Sequence, residues 1–181
     1  VIQLCSDLGH YISDAHVPLH TSSNYNGQYS GQKGIHALWE THIYETLRSS
    51  WTPRKIEARY IKEVRPWIWS IINESHQYVD EVLSKEKMVR EMENAPEEYG
   101  YRTRGRTLTL VPTPEFCKAY SEAMNGMVEK QFFFAAQSLS SIWYTAWVDA
   151  GAPPLPEKLN FERGRVMNEL VRFFQGPRKD P

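Results

Sequence analysis

Cysteine is almost missing from this 181-residue chain: Cys5 and Cys117 are the two it has, far apart in sequence. Neither sits in the paired-cysteine spacing of a structural zinc site. The sequence leaves open whether they pair in an oxidising compartment or stay two buried thiols. Long apolar runs are missing too, with nothing near the ~18 consecutive apolar residues of a membrane-spanning helix and no visible secretory signal, so stable membrane insertion is not expected. An excess of one charge is also lacking. Lys and Arg number 21 against 22 Asp and Glu, for a net charge of −1. That balance removes the electrostatic reason for tight, sequence-independent binding to duplex nucleic acid and confines any phosphate recognition to a local site. An initiator methionine is absent as well: the chain opens VIQLCSDLGHY, already inside an amphipathic pattern. The expectation is a cleavage product or the back part of something longer.

Length alone does not call for a metal, because a chain of this size buries roughly 70% of its unfolded surface without one. The periodicity reads as all-α: a single helical domain over residues 1–181, multi-helix and bundle-like, with long helices and one short strand-like segment. Val1, Leu4, Cys5, Leu8, Tyr11, Ile12 and Ala15 keep helical spacing, and Pro18 ends that helix. TSSNYNGQYSGQKG at 21–34 is a loop by its Ser, Asn and Gly content. A second helix is expected from Ile35 to Ser50. Thr52-Pro53 looks like an N-cap with proline at the first helical position, opening a third helix to Leu83. TLTLV at 107–111 alternates like a strand. Thr113-Pro114 opens a long helix to Ala150, bent at Asn125-Gly126, and a shorter helix is expected around Phe161–Phe174.

Of six histidines, three fall with two carboxylates into a pattern between positions 10 and 40. His10 and Asp14 stand four apart on the first helix, and His36 and Glu40 four apart on the second, so each pair emerges on one face. Helical stepping puts His36 and Glu40 with Ile43, Leu47 and the edge of Trp39, the face expected to turn inward. A carboxylate there needs compensation. A zinc ion supplies it, with His20, fixed beyond Pro18, completing a His-His-Glu set. Three protein ligands and one open position is the arrangement of catalytic zinc. Gln3, Asp7, His10 and Asp14 form a polar stripe opposite the apolar one, a solvated face unless a second layer of protein covers it.

The other histidines carry less. Pro18 separates His16 from His20, leaving His16 as a packing or supporting group; His42 falls off the His36–Glu40 face; His76 reads as a satisfied helix histidine. Trp67, Trp69, Phe132, Phe133, Phe134, Trp143, Tyr144 and Trp147 are expected in the core by their helical spacing, with stacking on bases as the rival reading. The basic run YRTRGRT, with Arg102, Arg104 and Arg106, reads as solvated, with phosphate contact as the rival reading.

GHYISDAHVPLH followed by HALWE, that is His-x3-Asp-x5-His and then His-x3-Glu, resembles the superfamily of zinc-dependent phospholipases C and single-strand-specific zinc nucleases. ESHQYVDEVL and SSIWYTAWVDAG look like segments of bacterial members, which extends the likeness over most of the chain. The resemblance implies a mainly helical fold with three clustered zinc ions and hydrolysis of phosphate esters. By this likeness His20, His36 and Glu40 hold one zinc, His10 ligates a second, and Asp14 bridges the second to the third and is the catalytic residue of the set. A metal-bound hydroxide would attack phosphorus while another zinc takes charge on the leaving oxygen.

The family's remaining ligands, an N-terminal Trp followed by a His, an Asp and another His, have no match here. The resemblance therefore implies the C-terminal part of a family member, poorly active or inactive without its missing N-terminal segment. Family members mature by signal cleavage, which implies a secreted or periplasmic location. The 21–34 loop lacks the Gly-Gly-Asn of the nucleases and Glu40 resembles the phospholipase side, so nucleic acid and phospholipid stay level as phosphodiester substrates. Two rival readings remain: a catalytically silent helical metal-binding or interaction protein that keeps one zinc, and a protein whose histidines are structural and bind none.

Overall fold

The computed structural model of the chain describes residues 2–154. The helix expected around Phe161–Phe174 lies outside the described residues. Among the described residues the chain is mainly helical with one small antiparallel sheet, and it is not a clear bundle: several of the described helices are short and one is long. No described helix is long and apolar enough to cross a membrane.

Helix α1 (Ile2–Ala15) ends just before Pro18, and a 3-10 turn, Pro18–Thr21, comes next. α1 packs on α7 (Met127–Asp149), with Gly9 facing Leu139, which a Cβ there would meet at an ordinary contact distance of 3.5 Å. Ile12 and Ala15 are buried as expected, whereas Leu4 and Tyr11 are exposed at 72% and 69%. The apolar stripe of α1 is therefore only half used. Ser75 of α4 (Val64–Gln77) donates its hydroxyl to the Ala15 carbonyl at 2.7 Å, satisfying one of the carbonyls a helix end leaves bare.

The helix expected from Thr52 to Leu83 is corrected. Residues 52–63 are not helical, α4 begins at Val64, and after a break at Tyr78 α5 runs Val79–Arg90. The proline that opens a helix is Pro66, in the first turn of α4, where a missing amide costs nothing. What holds 52–63 extended is tertiary. Backbone amides of Glu57, Arg59 and Ile61 donate to Gln137 Oε1 (3.2 Å), Ser141 Oγ (3.2 Å) and Thr145 Oγ1 (2.9 Å) on α7. Two residues of extended chain advance about 6.6 Å and four of helix about 6.0 Å, so the two series stay in step. Polar side chains of a helix here stand in for a neighbouring strand. Thr145→Val keeps the shape and removes the acceptor for Ile61. The expected loss is about 1–3 kcal/mol, a fall in Tm of roughly 2–4 °C for each kcal/mol, read by thermal unfolding.

β1 (Tyr99–Arg104) and β2 (Thr107–Pro112) form a hairpin in which Tyr101 pairs with Leu110 and Thr103 with Leu108. Gly105, with φ 62°, makes the turn. The sequence reading pointed only to the second strand: YGYRTR sets Tyr99, Tyr101 and Thr103 alternately with Gly100, Arg102 and Arg104, but its arginines made it read as a solvated run. Thr113 caps α6 (Pro114–Ala123) by accepting from the Phe116 amide at 3.1 Å, as its Thr-Pro signal suggests. Asn125 and Gly126, both at positive φ, do more than bend the next helix: they separate α6 from α7.

The core gathers Val17, Leu19, Ile35, Leu38, Trp39, Ile43, Val82, Val89, Phe116, Tyr120, Met124 and Val128 from the Pro18–Thr21 turn, the helical run 35–47, α5, α6 and α7 with the residues that flank them. Both cysteines are free thiols, Cys117 buried among these residues and Cys5 half-buried on α1. The aromatics expected inside divide: Trp69, Phe132, Phe134, Trp143 and Tyr144 are between 40% and 58% exposed.

Candidate metal centre

His10 and Asp14 project from α1, His20 from the 3-10 turn beside the core residue Leu19, and His36 and Glu40 from the helical segment after the loop. That segment is not a regular helix. An α-helical turn (α2, Ile35–Ala37) passes into a π-helical turn, Leu38–His42, closed by the Ile43 amide bonding the Leu38 carbonyl, and then into α3 (Ile43–Leu47). One extra residue in that turn rotates the side chains beyond it. Leu38 and Trp39 both go into the core, and Glu40, expected on the inward face, turns outward with its side chain 40% exposed. Single π turns of this kind are often found at functional sites.

All five residues converge. His36 Nε2 is 2.9 Å from Glu40 Oε2, His20 Nε2 is 3.6 Å from the same oxygen and 3.8 Å from Asp14 Oδ1, and His10 Nε2 is 3.3 Å from Asp14 Oδ2. The rings of His20 and His36 meet edge to face at 4.8 Å. One ligand atom from each of His20, His36 and Glu40 lies within 4.8 Å of the others. Donors on a tetrahedron around zinc stand roughly 3.3 Å apart, given N and O bonds near 2.0–2.1 Å, so small side-chain movements bring this set onto one ion. The donor chemistry, two imidazoles and a carboxylate, fits the same metal. Two carboxylates flank His20, and a cation relieves the repulsion between them. His10 is the outlying member, its side chain 70% exposed.

The loop that delivers His36 is closely specified. Gln32 and Ser30 amides bond the Gly27 carbonyl at 2.9 and 3.2 Å, and the Gly34 amide reaches Asn26. Gly27, at φ 69°, has no room for a side chain, since a Cβ would lie 2.3 Å from the Gln32 carbonyl oxygen. Tyr25 from the same loop sets its ring edge against His36 at 6.2 Å. Its proximity came from the folding of the loop, and no spacing in the sequence signalled it. The Nδ1 of His36 and Nε1 of Trp39 are buried without a hydrogen-bond partner among the described residues.

The remaining histidines keep to themselves. His16 is buried, with Nδ1 3.3 Å from Gln131 Oε1 and Nε2 2.9 Å from Ser138 Oγ, so Nδ1 donates and Nε2 accepts. Burial pushes its pKa below the ordinary value, against the opposing pull of Gln131, and the ring is neutral at pH 7. His76 Nδ1 meets the Thr21 hydroxyl at 3.0 Å, while that hydroxyl donates to the Pro18 carbonyl. His42 borders the hairpin instead.

Beside the cluster opens a cavity of about 370 Å3 walled by Trp39, Tyr44, Trp51, Phe132 and Leu139, with Glu40, Ser13 and His16 among its polar members. Glu40 thus belongs to the cluster and to the cavity wall. Comparisons with protein-family models, with curated proteins and with solved structures found no match for this chain.

Proposed function

We propose that this chain carries the zinc-holding part of a hydrolase of phosphate esters, of the type of the zinc phospholipases C and single-strand-specific nucleases it resembles. The observation that supports this is the convergence of His10, Asp14, His20, His36 and Glu40, from three separate segments, into one cluster. His20, His36 and Glu40 hold one zinc, which when bound supplies Lewis acidity and a nucleophile at neutral pH. His10 and Asp14 are two ligands toward a further site that the described residues do not complete. Without a cation, Asp14 and Glu40 repel a phosphodiester; a zinc ion on the His20–His36–Glu40 set would cancel that charge and offer the phosphate a cation to bind. The aromatic cavity is large enough to take an apolar arm of the substrate next to the scissile group.

A second reading, a catalytically silent protein that keeps one zinc for stability, draws on the exposure of His10 and the incomplete second set. Metal analysis with intact mass, run beside hydrolysis of bis(p-nitrophenyl) phosphate with and without chelator, separates the two. The hydrolase reading expects about one zinc per 21 kDa chain and chelator-sensitive turnover, rising when the remaining ligands are supplied. Zinc without turnover in a protein holding the complete ligand set supports the silent reading. No zinc after refolding with the metal overturns both.

A further inference from the structure

Three polar side chains are buried together where α1 meets α7: His16, just beyond the end of α1, and Gln131 and Ser138, two turns apart on one face of α7. Their hydrogen bonds run in one direction. Ser140 and Ser141 donate their hydroxyls to carbonyls four residues back, at 2.8 Å each, whereas the Ser138 hydroxyl bonds only the His16 ring among the described residues, 2.9 Å from Nε2. Ser138 therefore donates to Nε2, which leaves the ring proton on Nδ1, facing Gln131 Oε1 at 3.3 Å. With its oxygen engaged in this way, Gln131 keeps two amide protons, and its nitrogen has no partner among the described residues. Unlike Trp39 Nε1, that nitrogen is not sealed into the packing, although Gln131 as a whole is only 4% exposed.

Gln131 borders the cavity of about 370 Å3 beside Glu40. Trp39, Tyr44, Trp51 and Phe132 supply flat walls there, which suit a ring. A ring without an acceptor would cover the Gln131 amide and take it out of water with nothing in return; a ring bearing a carbonyl would accept one of its protons. A site built to hydrogen-bond its ligand rejects the analogue lacking that group far more sharply than a plain apolar pocket does. His16 and Gln131 also border a second cavity, but Arg54, Lys55 and Arg59 supply donors to that one without Gln131. We propose that Gln131 is the specificity-determining residue of the cavity beside Glu40, selecting a ring that carries a carbonyl oxygen, and that His16 and Ser138 are positioning residues that fix which end of its amide the ligand meets. The proposal rests on the hydrolase reading only in making this ring an arm of the substrate; recognition in the cavity needs no metal.

Acetophenone and ethylbenzene differ by C=O against CH2, and titrating each into the whole chain with chelator present, read by NMR, tests the selection. Acetophenone is expected to bind roughly five- to tenfold tighter, shifting the indole signals of Trp39 and Trp51. Gln131→Leu should erase the preference. Because that change also leaves His16 Nδ1 without its acceptor, Gln131→Glu is the second variant. It keeps an oxygen for His16 and places another where the amide protons were, so acetophenone should weaken and benzamidine, a donor of the same shape, should gain. Ser138 does not line this cavity, yet Ser138→Ala frees the His16 proton to change nitrogen and the Gln131 amide to turn over. The preference should therefore shrink while ethylbenzene binds as before, whereas a merely structural role would weaken both ligands alike. The proposal is overturned if neither ligand binds, if acetophenone binds no better than ethylbenzene, if the preference survives both Gln131 variants, or if the shifted indole is Trp67 of the second cavity. Zinc binding measured on the same samples keeps failure here separate from failure of the hydrolase reading.

Discussion

Zinc will raise the melting temperature of this chain, and Glu40→Gln will abolish the rise. At a free zinc concentration about a hundredfold above Kd, linkage contributes about 2.7 kcal/mol, which for a chain of this length is a Tm increase of roughly 5–11 °C. Glu40 carries the only negative charge in the His20–His36–Glu40 set, and its loss leaves two neutral imidazoles. Loss of a merely supporting contact costs a metal site about 10–100-fold in affinity, so loss of this ligand should exceed about 100-fold and erase the shift at the same zinc concentration. His36→Ala should behave alike. His42→Ala, on the same helical run but outside the cluster, should keep the full shift. The metal-free protein supplies a control: Glu40 is exposed and its close partner is His36 at 2.9 Å, so the variant should fold with an almost unchanged Tm. A Glu40→Gln protein that still melts later with zinc would rule out this site.

Glu86→Ala is expected to give the largest loss of stability in the metal-free protein, roughly 3–5 kcal/mol in denaturant unfolding. Glu86 is 1% exposed and is held by Arg90 and by the side-chain amide of Gln32, which also donates to the Leu83 carbonyl at 2.7 Å. Removing it leaves that amide short of an acceptor and frees the guanidinium, whose other partner Glu98 lies 3.3 Å away at the edge. Beneath it Tyr120, fully buried, donates to the Val82 carbonyl at 2.7 Å, and burial, followed by the Glu86 carboxylate, raises its phenol pKa well above the ordinary value. The effect should reach the metal. Gln32 anchors the loop that leads into His36, so Glu86→Ala should weaken zinc binding without touching a ligand. Unchanged zinc affinity alongside lowered stability would show that the loop holds its shape without this anchor.

That His10, Asp14, His20, His36 and Glu40 come together was legible because helical spacing is a local property: two i, i+4 pairs and a proline-fixed histidine can be read from the residues alone. Their neighbours were not. The cavity wall draws Phe132 and Leu139 from α7, more than ninety positions from Glu40, and nothing local encodes that meeting. Glu40 was placed on the wrong face for a related reason. A π turn depends on whether both Leu38 and Trp39 can be buried, which only the core beneath them decides.

The failed helix at 52–63 makes the same division sharpest. Thr52-Pro53 and Thr113-Pro114 are the same local signal, and both segments are free to start a helix on that ground. The second does, because Phe116, Cys117 and Tyr120 give it a face to bury. The first stays extended, because Gln137, Ser141 and Thr145 take up its amides at a matching repeat. By itself the sequence determined which residues share a helix face, where α1 ends and which histidines and carboxylates stand as close pairs, since these depend on bonds and spacing within a few residues. Tertiary structure alone decided which competing backbone conformation won and which face met the core, because helix and extended chain differ by little until a distant surface satisfies the amides of one.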